Sequence, residues 1–180
     1  MAKQFPQIEE AHRKFIEEQH MFFTGSAGPE GRVNISPKGM DSLRVLGPDR
    51  IVWMNLTGSG NETAGHLLEV NRITLMWCSF TTRPQILRAY GTASVLHAGD
   101  DGWDDLAALF PAHRSARQIF DVSVDMVQTS CGYAVPFMEY QSDRDTMQKW
   151  VDGKSDEDIR AYWAEKNQST IDGKPTGVPV

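Results

Sequence analysis

Cysteine is scarce in this chain: there are two, Cys78 and Cys131, and no Cys-x-x-Cys pair. That excludes a disulfide framework and predicts free thiols in a reducing compartment. Cys131 has no cationic neighbour in the sequence that would mark it as a reactive thiol. The histidines, His12, His20, His66, His97 and His113, are scattered, with no His-Glu-x-x-His and no close Cys/His pairing, so no metal site is expected. There is no run of Lys and Arg, and 18 basic residues against 24 acidic ones give a net charge of −6. Sequence-independent nucleic-acid binding, which relies on a basic surface, is disfavoured. No apolar run approaches the roughly 20 residues of a membrane-spanning helix, and the opening MAKQFPQIEEAHRKF lacks the apolar core of a signal peptide. The expectation is a cytoplasmic protein with no membrane or nucleic-acid partner.

What is present is an ordinary globular composition, 40% hydrophobic and 23% charged over 180 residues, enough for one domain with a sizeable core and a short tail. Residues 5–20 carry Ile8, Ala11, Phe15 and Ile16 at helical spacing, a helix to lie across the open side of a sheet. Strands are predicted over 20–24, 32–36, 43–46 and 51–56, the last two as a hairpin closed by Gly47-Pro48-Asp49-Arg50. The 32–36 alternation sends Val33 and Ile35 towards a core and Arg32, Asn34 and Ser36 to the opposite face. Residues 73–80 are apolar on both faces, which suggests a central strand. Residues 85–97 alternate small inward residues (Ala89, Gly91, Ala93) with Arg88, Tyr90 and Thr92, as in a tightly curved strand. A helix over 100–110, a strand over 118–130, and two helices over 143–166 broken at Gly153 complete the pattern. Asp121 and Asp125 share one face of the 118–130 strand, where paired carboxylates or a wet edge are both open readings. The sum is a small antiparallel barrel of the α+β kind, mainly β with peripheral helices. The final STIDGKPTGVPV reads as a Pro/Gly-rich tail.

The stretch that suggests chemistry is IVWMNLTGSGNETAGHLL, residues 51–68: a buried strand, a glycine-broken turn and a helix start. Such a turn presents free backbone N–H groups where an anion can sit. Ser59 and Glu62 stand at the S-x-x-E spacing of a capping box, so a plain helix start explains that pair equally well. The turn is not a P-loop, for no Lys follows a Gly, and Thr63 stands where a dinucleotide fingerprint needs its third Gly. Arg32, Asn34, Ser36 and Lys38 before it, and Arg88 and Tyr90 after it, could converge on the same place or be a solvated strand face, with a subunit contact also open for the last two.

Taken in order, RVNISPKGMDSLRVLG, IVWMNLTGSGNETAGHLLEVNRITLMWCSF, RPQILRAYGTASVL and RQIFDVSVDMVQTSCGYAVP resemble the pyridoxamine 5'-phosphate oxidase-like superfamily, the FMN-binding split barrels. The resemblance covers about residues 15–140 and is similar to the bacterial branch described only as oxidase-related FMN-binding proteins. It implies an antiparallel, Greek-key split β-barrel over 1–140, with 141–180 as a helical extension and tail packed on the same domain. It further implies a homodimer with FMN at the subunit interface and an FMN-dependent oxidoreductase acting on a small organic substrate. Asn34 and Ser36 would run beside the isoalloxazine ring, with Arg32 on the same strand. Lys38, Thr57, Ser59, Asn61, Glu62, Thr63 and Arg88 would gather around the ribityl phosphate. The chain departs from the true oxidases in two places. Where they carry Ser-Arg-Lys after the turn it has Asn61-Glu62-Thr63, and it lacks their Arg-rich C-terminus. Glu62 is therefore expected to fold into the capping box, away from a dianion. Vitamin B6 oxidation is not expected, and the flavin would bring the redox chemistry without help from an acid or base residue. A non-catalytic flavin store or sensor is the alternative on the same fold. A haem or deazaflavin protein is a further one, with no axial-ligand motif to support haem.

Overall fold

The computed structural model describes residues 2–180. Two long strands form its spine, β7 (Gln85–Leu96) and β8 (Ala116–Cys131), hydrogen-bonded in antiparallel register from Gln85↔Cys131 to Leu96↔Ile119. Their inward residues are small where they cross: a Cβ on Gly91 would overlap the Ser123 carbonyl, so only glycine allows the close approach. The register shifts at that point, between Tyr90 and Gly91. The remaining strands are β1 (Lys3–Phe5), β2 (Phe22–Ser26), β3 (Asn34–Lys38), β4 (Leu43–Gly47), β5 (Arg50–Leu56) and β6 (Ile73–Cys78). They assemble in the order β3-β2-β6-β7-β8-β5-β4, every pair antiparallel, with β1 beside β8.

This sheet curls. Phe22 on β2 meets Trp53 on β5 with ring centroids 6.3 Å apart, although three strands separate β2 from β5 in the sheet. The concave face buries Trp53, Trp77, Leu75, Leu87, Phe120 and Val122 in one cluster. Edges β3 and β4 do not pair with each other, so the barrel stays open there. The Gly39–Ser42 link crosses that gap, with Met40 and Asp41 both at positive φ.

Helix α1 (Glu10–Glu17) contributes Phe15 and Ile16 to the concave core, and the Arg13 guanidinium donates to the Val45 carbonyl of edge strand β4 at 2.7 Å. It is shorter than the 5–20 pattern predicts: Glu9 caps its start, Glu18 its end, and Phe5 belongs to β1, which pairs with β8. Helix α2 (Glu62–Glu69) follows β5. Helix α3 (Trp103–Ala107) covers the outer face of β5 and β8, where Leu106 and Phe110 pack on Val52, Met54 and Ile119. Asp121 does not face a second carboxylate; it takes a two-pronged hydrogen bond from Arg50 at 2.8 and 2.9 Å.

Helices α4 (Thr146–Asp152) and α5 (Asp156–Lys166) lead into a C-terminal segment that is firmly packed, with Thr170, Thr176 and Val178 buried. The Pro/Gly-rich composition reflects a tight path, not a loose end. A Cβ on Gly65 would overlap Thr170 Cγ2 and stand 3.1 Å from the Pro175 carbonyl. Glycine at that position lets the segment lie directly on α2.

One side of the 32–36 reading is corrected. Asn34, Ser36 and Lys38 pair with Ser26, Thr24 and Phe22, so they share the concave face. Val33 and Ile35 then fall on the convex face and are 71% and 68% exposed. The alternation has the predicted phase, but β3 is an edge strand and none of the described residues covers that face.

Candidate functional site: a cavity at the start of helix α2

A cavity of about 690 Å³ opens between the polar face of β3, the 58–61 turn, the first residues of α2 and the C-terminal segment. That is within the range of small-molecule sites, roughly 300–1,000 Å³. Trp53 and Phe120, stacked at 4.1 Å and nearly parallel, line its inner wall. Asn34, Ser36 and Lys38, two residues apart on one strand, line one side. Arg117, near the start of β8, lines the other.

Hydrogen bonds tie these walls together. Asn34 Nδ2 lies 3.2 Å from Ser36 Oγ and 3.3 Å from Thr63 Oγ1, so β3 is joined to the first turn of α2. Thr63 Oγ1 also accepts from Ser26, whose hydroxyl is 3.0 Å from His66 Nδ1. Asn61 and Gln118 exchange reciprocal amide bonds at 2.8 and 3.2 Å, fixing the helix start to β8.

The capping box is not formed. Asn61, not Ser59, is the N-cap, without a side-chain cap bond. Glu62 instead reaches over to the C-terminal segment, its two oxygens each 3.1 Å from the Ile171 N–H. The reason is competition: the Ile171 backbone N–H, brought close by the Gly65 contact, offers the carboxylate a partner that the turn does not. Arg32 is held to the same segment, its side chain and backbone N–H both donating to Asp172. The hydrogen bond from the Arg32 backbone N–H first, and then the Arg32 guanidinium, hold the Asp172 carboxyl below its usual range.

Two cations are left over. Among the described residues neither Lys38 nor Arg117 has an acidic partner. Arg117 is 4% exposed and donates to the Asn167 side chain at 2.6 Å and to the Gly60 carbonyl at 3.1 Å, neither of them charged. Burial pushes its guanidinium down to about 10. Lys38 is pushed down to about 8, first by burial and then by Arg117. Buried positive charge without a counter-charge is unfavourable. The first N–H groups of α2 add partial positive charge to the same cavity. In its wall Trp53 Nε1, Asn55 Oδ1 and Arg117 Nε lack hydrogen-bond partners among the described residues, a rare state for buried polar atoms that calls for a further ligand or water. These are the properties of a site for an anion attached to a flat, partly polar body. They fit the phosphate and ring of FMN.

Of the residues singled out in the sequence, Arg32, Asn34, Ser36, Lys38, Ser59, Asn61, Glu62 and Thr63 all line this cavity. Thr57 does not; its hydroxyl donates to the Ser115 carbonyl and accepts from Trp163 Nε1. Arg88 also lies apart within one chain. It donates to Ser130 Oγ and stands on the convex side of β7, opposite in phase to the core residues Leu87 and Ala89. Arg117 was missed. The β5 and β8 register shifts between Asn55 and Leu56, beside Ala116–Gln118, and this irregularity brings Arg117 to the cavity out of the strand's alternation. No local spacing signals it. Among the described residues no cluster of three or more His, Cys, Asp or Glu could hold a metal ion, and no helix is long and apolar enough to cross a membrane.

Comparison with known proteins agrees with this architecture. Residues 8–131 match the sequence model of the family described as pyridoxamine 5'-phosphate oxidase. A pyridoxamine 5'-phosphate oxidase family protein of Aspergillus flavus, ustO, is 37% identical over 133 residues, covering 71% of this chain and 53% of that protein. The chain thus spans about half the length of this relative. In structure, a pyridoxamine 5'-phosphate oxidase-like protein from Lactobacillus delbrueckii superposes with a TM-score of 0.56 at 17% identity, over 68% of this chain and 94% of the other. HupZ from Group A Streptococcus superposes with a TM-score of 0.55 at 17% identity, over 68% and 99%. These two share the fold, a mainly antiparallel split barrel whose sheet is not closed. The chain belongs to the pyridoxamine 5'-phosphate oxidase family.

Proposed function

We propose that the cavity binds FMN non-covalently and that the protein is an FMN-dependent oxidoreductase acting on a small organic substrate. The observation that carries this is the pair of unneutralised cations, Lys38 and Arg117, facing the N-terminus of α2 in one cavity. In this reading Lys38 and Arg117 supply charge to the phosphate. Ser59, Asn61, Thr63 and the first α2 N–H groups supply hydrogen bonds. Asn34 and Ser36 offer amide and hydroxyl groups to the edge of the ring, and Trp53 and Phe120 close the site to water. Glu62 and Arg32 act on the C-terminal segment, which they hold over the cavity. Bound FMN supplies hydride and electron transfer, and the chain's own residues position it and keep solvent away.

The protein acts, in the same proposal, as a homodimer. Val33, Ile35, Met76 and Tyr90 line a shallow, largely apolar depression on the convex sheet face, the kind of surface that monomers seldom leave open. Arg88 and Thr57 belong to the cofactor site only indirectly in this reading. Arg88 stands on the face offered to a partner, where it would serve the partner's cofactor, and Thr57 anchors α5 behind the turn. Oxidation of pyridoxamine 5'-phosphate is not proposed. Residues 167–180 contain no Arg, and their one Lys, Lys174, is paired with Glu69 at 2.7 Å. Haem is disfavoured because, among the described residues, no His, Cys, Met or Tyr lines the cavity.

The test is anaerobic reduction of the FMN-loaded protein by NADH or NADPH, followed by turnover with an added acceptor. Loss of visible flavin absorbance and steady-state turnover support an oxidoreductase. A bound flavin that nicotinamides cannot reduce, with no turnover, supports the non-catalytic flavin store or sensor instead.

A further inference from the structure

A second cavity, of about 670 Å³, adjoins the first and shares Pro37, Lys38, Gly58 and Ser59 with it. Most of its other walls come from residues 140–162, beyond the 8–131 segment that matches the family. Those walls are aromatic and thioether surfaces. Tyr140 stacks on His20 at 3.6 Å and 8°, Trp150 meets Tyr162 edge-on at 5.3 Å, and Met40 and Met147 also line the cavity. Polarisable sulfur and aromatic faces suit a flat ring and adapt to its outline. A phosphate would fare badly here. The cations available are Lys38, already committed to the first cavity, and the exposed Arg144, and the Asp143 carboxylate lines the same space.

We infer that this second cavity is a binding site for a flat, largely apolar, unphosphorylated small molecule. It meets the first cavity at Lys38 and Ser59, the groups assigned to the flavin phosphate in the proposed function, so its ligand would lie beside the phosphate end of the cofactor and not against the ring. The binding preference rests on this cavity's own walls, most of which lie outside the segment that matches the family.

Equilibrium dialysis of the full chain, with and without FMN, against 2-naphthol and against pyridoxamine 5'-phosphate tests this. The expected result is saturable 2-naphthol binding at least tenfold tighter than that of the phosphate compound. Met147→Arg should weaken 2-naphthol at least tenfold while FMN affinity and the thermal melt stay unchanged, and Met147→Leu should retain binding. Absence of saturable 2-naphthol binding overturns the inference, as does binding indifferent to Met147→Arg or a preference for pyridoxamine 5'-phosphate. If FMN does not bind, the flavin reading falls separately. Naphthol binding to the flavin-free chain, and its loss in Met147→Arg, still decides what the cavity accepts.

Discussion

Lys38→Met separates what the cavity costs the empty protein from what it gives to a ligand. The Lys38 ammonium sits near 8 instead of 10.5, a displacement of 10.5 − 8 = 2.5 pH units. At 1.36 kcal/mol per unit this corresponds to about 3 kcal/mol, and partial exposure of the side chain reduces it to about 1–2 kcal/mol. The folded value lies below the unfolded one, so this cost is fully present below pH 8 and fades as pH rises from 8 to 10.5. Flavin-free wild type should therefore gain stability across that window, whereas Lys38→Met should not. At pH 7 the variant should be more stable by about 1–2 kcal/mol, a rise in Tm of about 2–8 °C for a chain of this size. FMN affinity should move the other way. Loss of a charged hydrogen bond costs about 1.5–3 kcal/mol, which is roughly 10- to 150-fold in Kd. Wild-type affinity should also fall as pH climbs through 8, a dependence that the variant loses. Thermal melts of the flavin-free protein and flavin-fluorescence titrations from pH 6 to 10 measure both. A variant that is less stable and binds FMN as tightly as wild type would refute the reasoning.

Gly65→Ala should drive the C-terminal segment off α2, because the new Cβ overlaps Thr170 Cγ2. A loss of about 1–3 kcal/mol is expected, seen as a lower Tm and faster proteolysis beyond residue 166. Ile35→Glu adds a charge to the exposed convex face, so sedimentation equilibrium should show a dimer weakened at least tenfold with the monomer's fold intact. Arg88→Ala should weaken FMN by about 1.5–3 kcal/mol in the dimer and leave the Ile35→Glu monomer's residual affinity unaltered; titration of the single and double variants decides it.

Much of the barrel was legible because its strands alternate. The phases of β3 and β7 were read correctly from Asn34/Ser36 against Val33/Ile35 and from Ala89/Gly91 against Arg88/Tyr90. What sits behind each face was not legible. Val33 and Ile35 look like core residues in sequence and face outward on an edge strand. The site was read most completely where its residues are local, from Asn34 to Lys38 and from Ser59 to Thr63. It was read least well where tertiary structure decides. Arg117 enters through a register shift, and Glu62 leaves its expected cap for the Ile171 N–H, more than a hundred residues away in sequence. The resemblance points to the family and to an extension packed on the barrel, while composition alone does not show that residues 167–180 close the cavity.

The most direct test of the central claim, that the cavity is built around a flavin phosphate, is a comparison of FMN with riboflavin by fluorescence titration of the flavin-free protein. The two ligands share the ring and ribityl chain and differ only in the phosphate. With Lys38, Arg117 and the start of α2 directed at that group, FMN should bind at least about 100-fold more tightly, the equivalent of roughly two charged hydrogen bonds at the lower end of their range. Equal affinities for the two, or no saturable binding of either, would contradict the account.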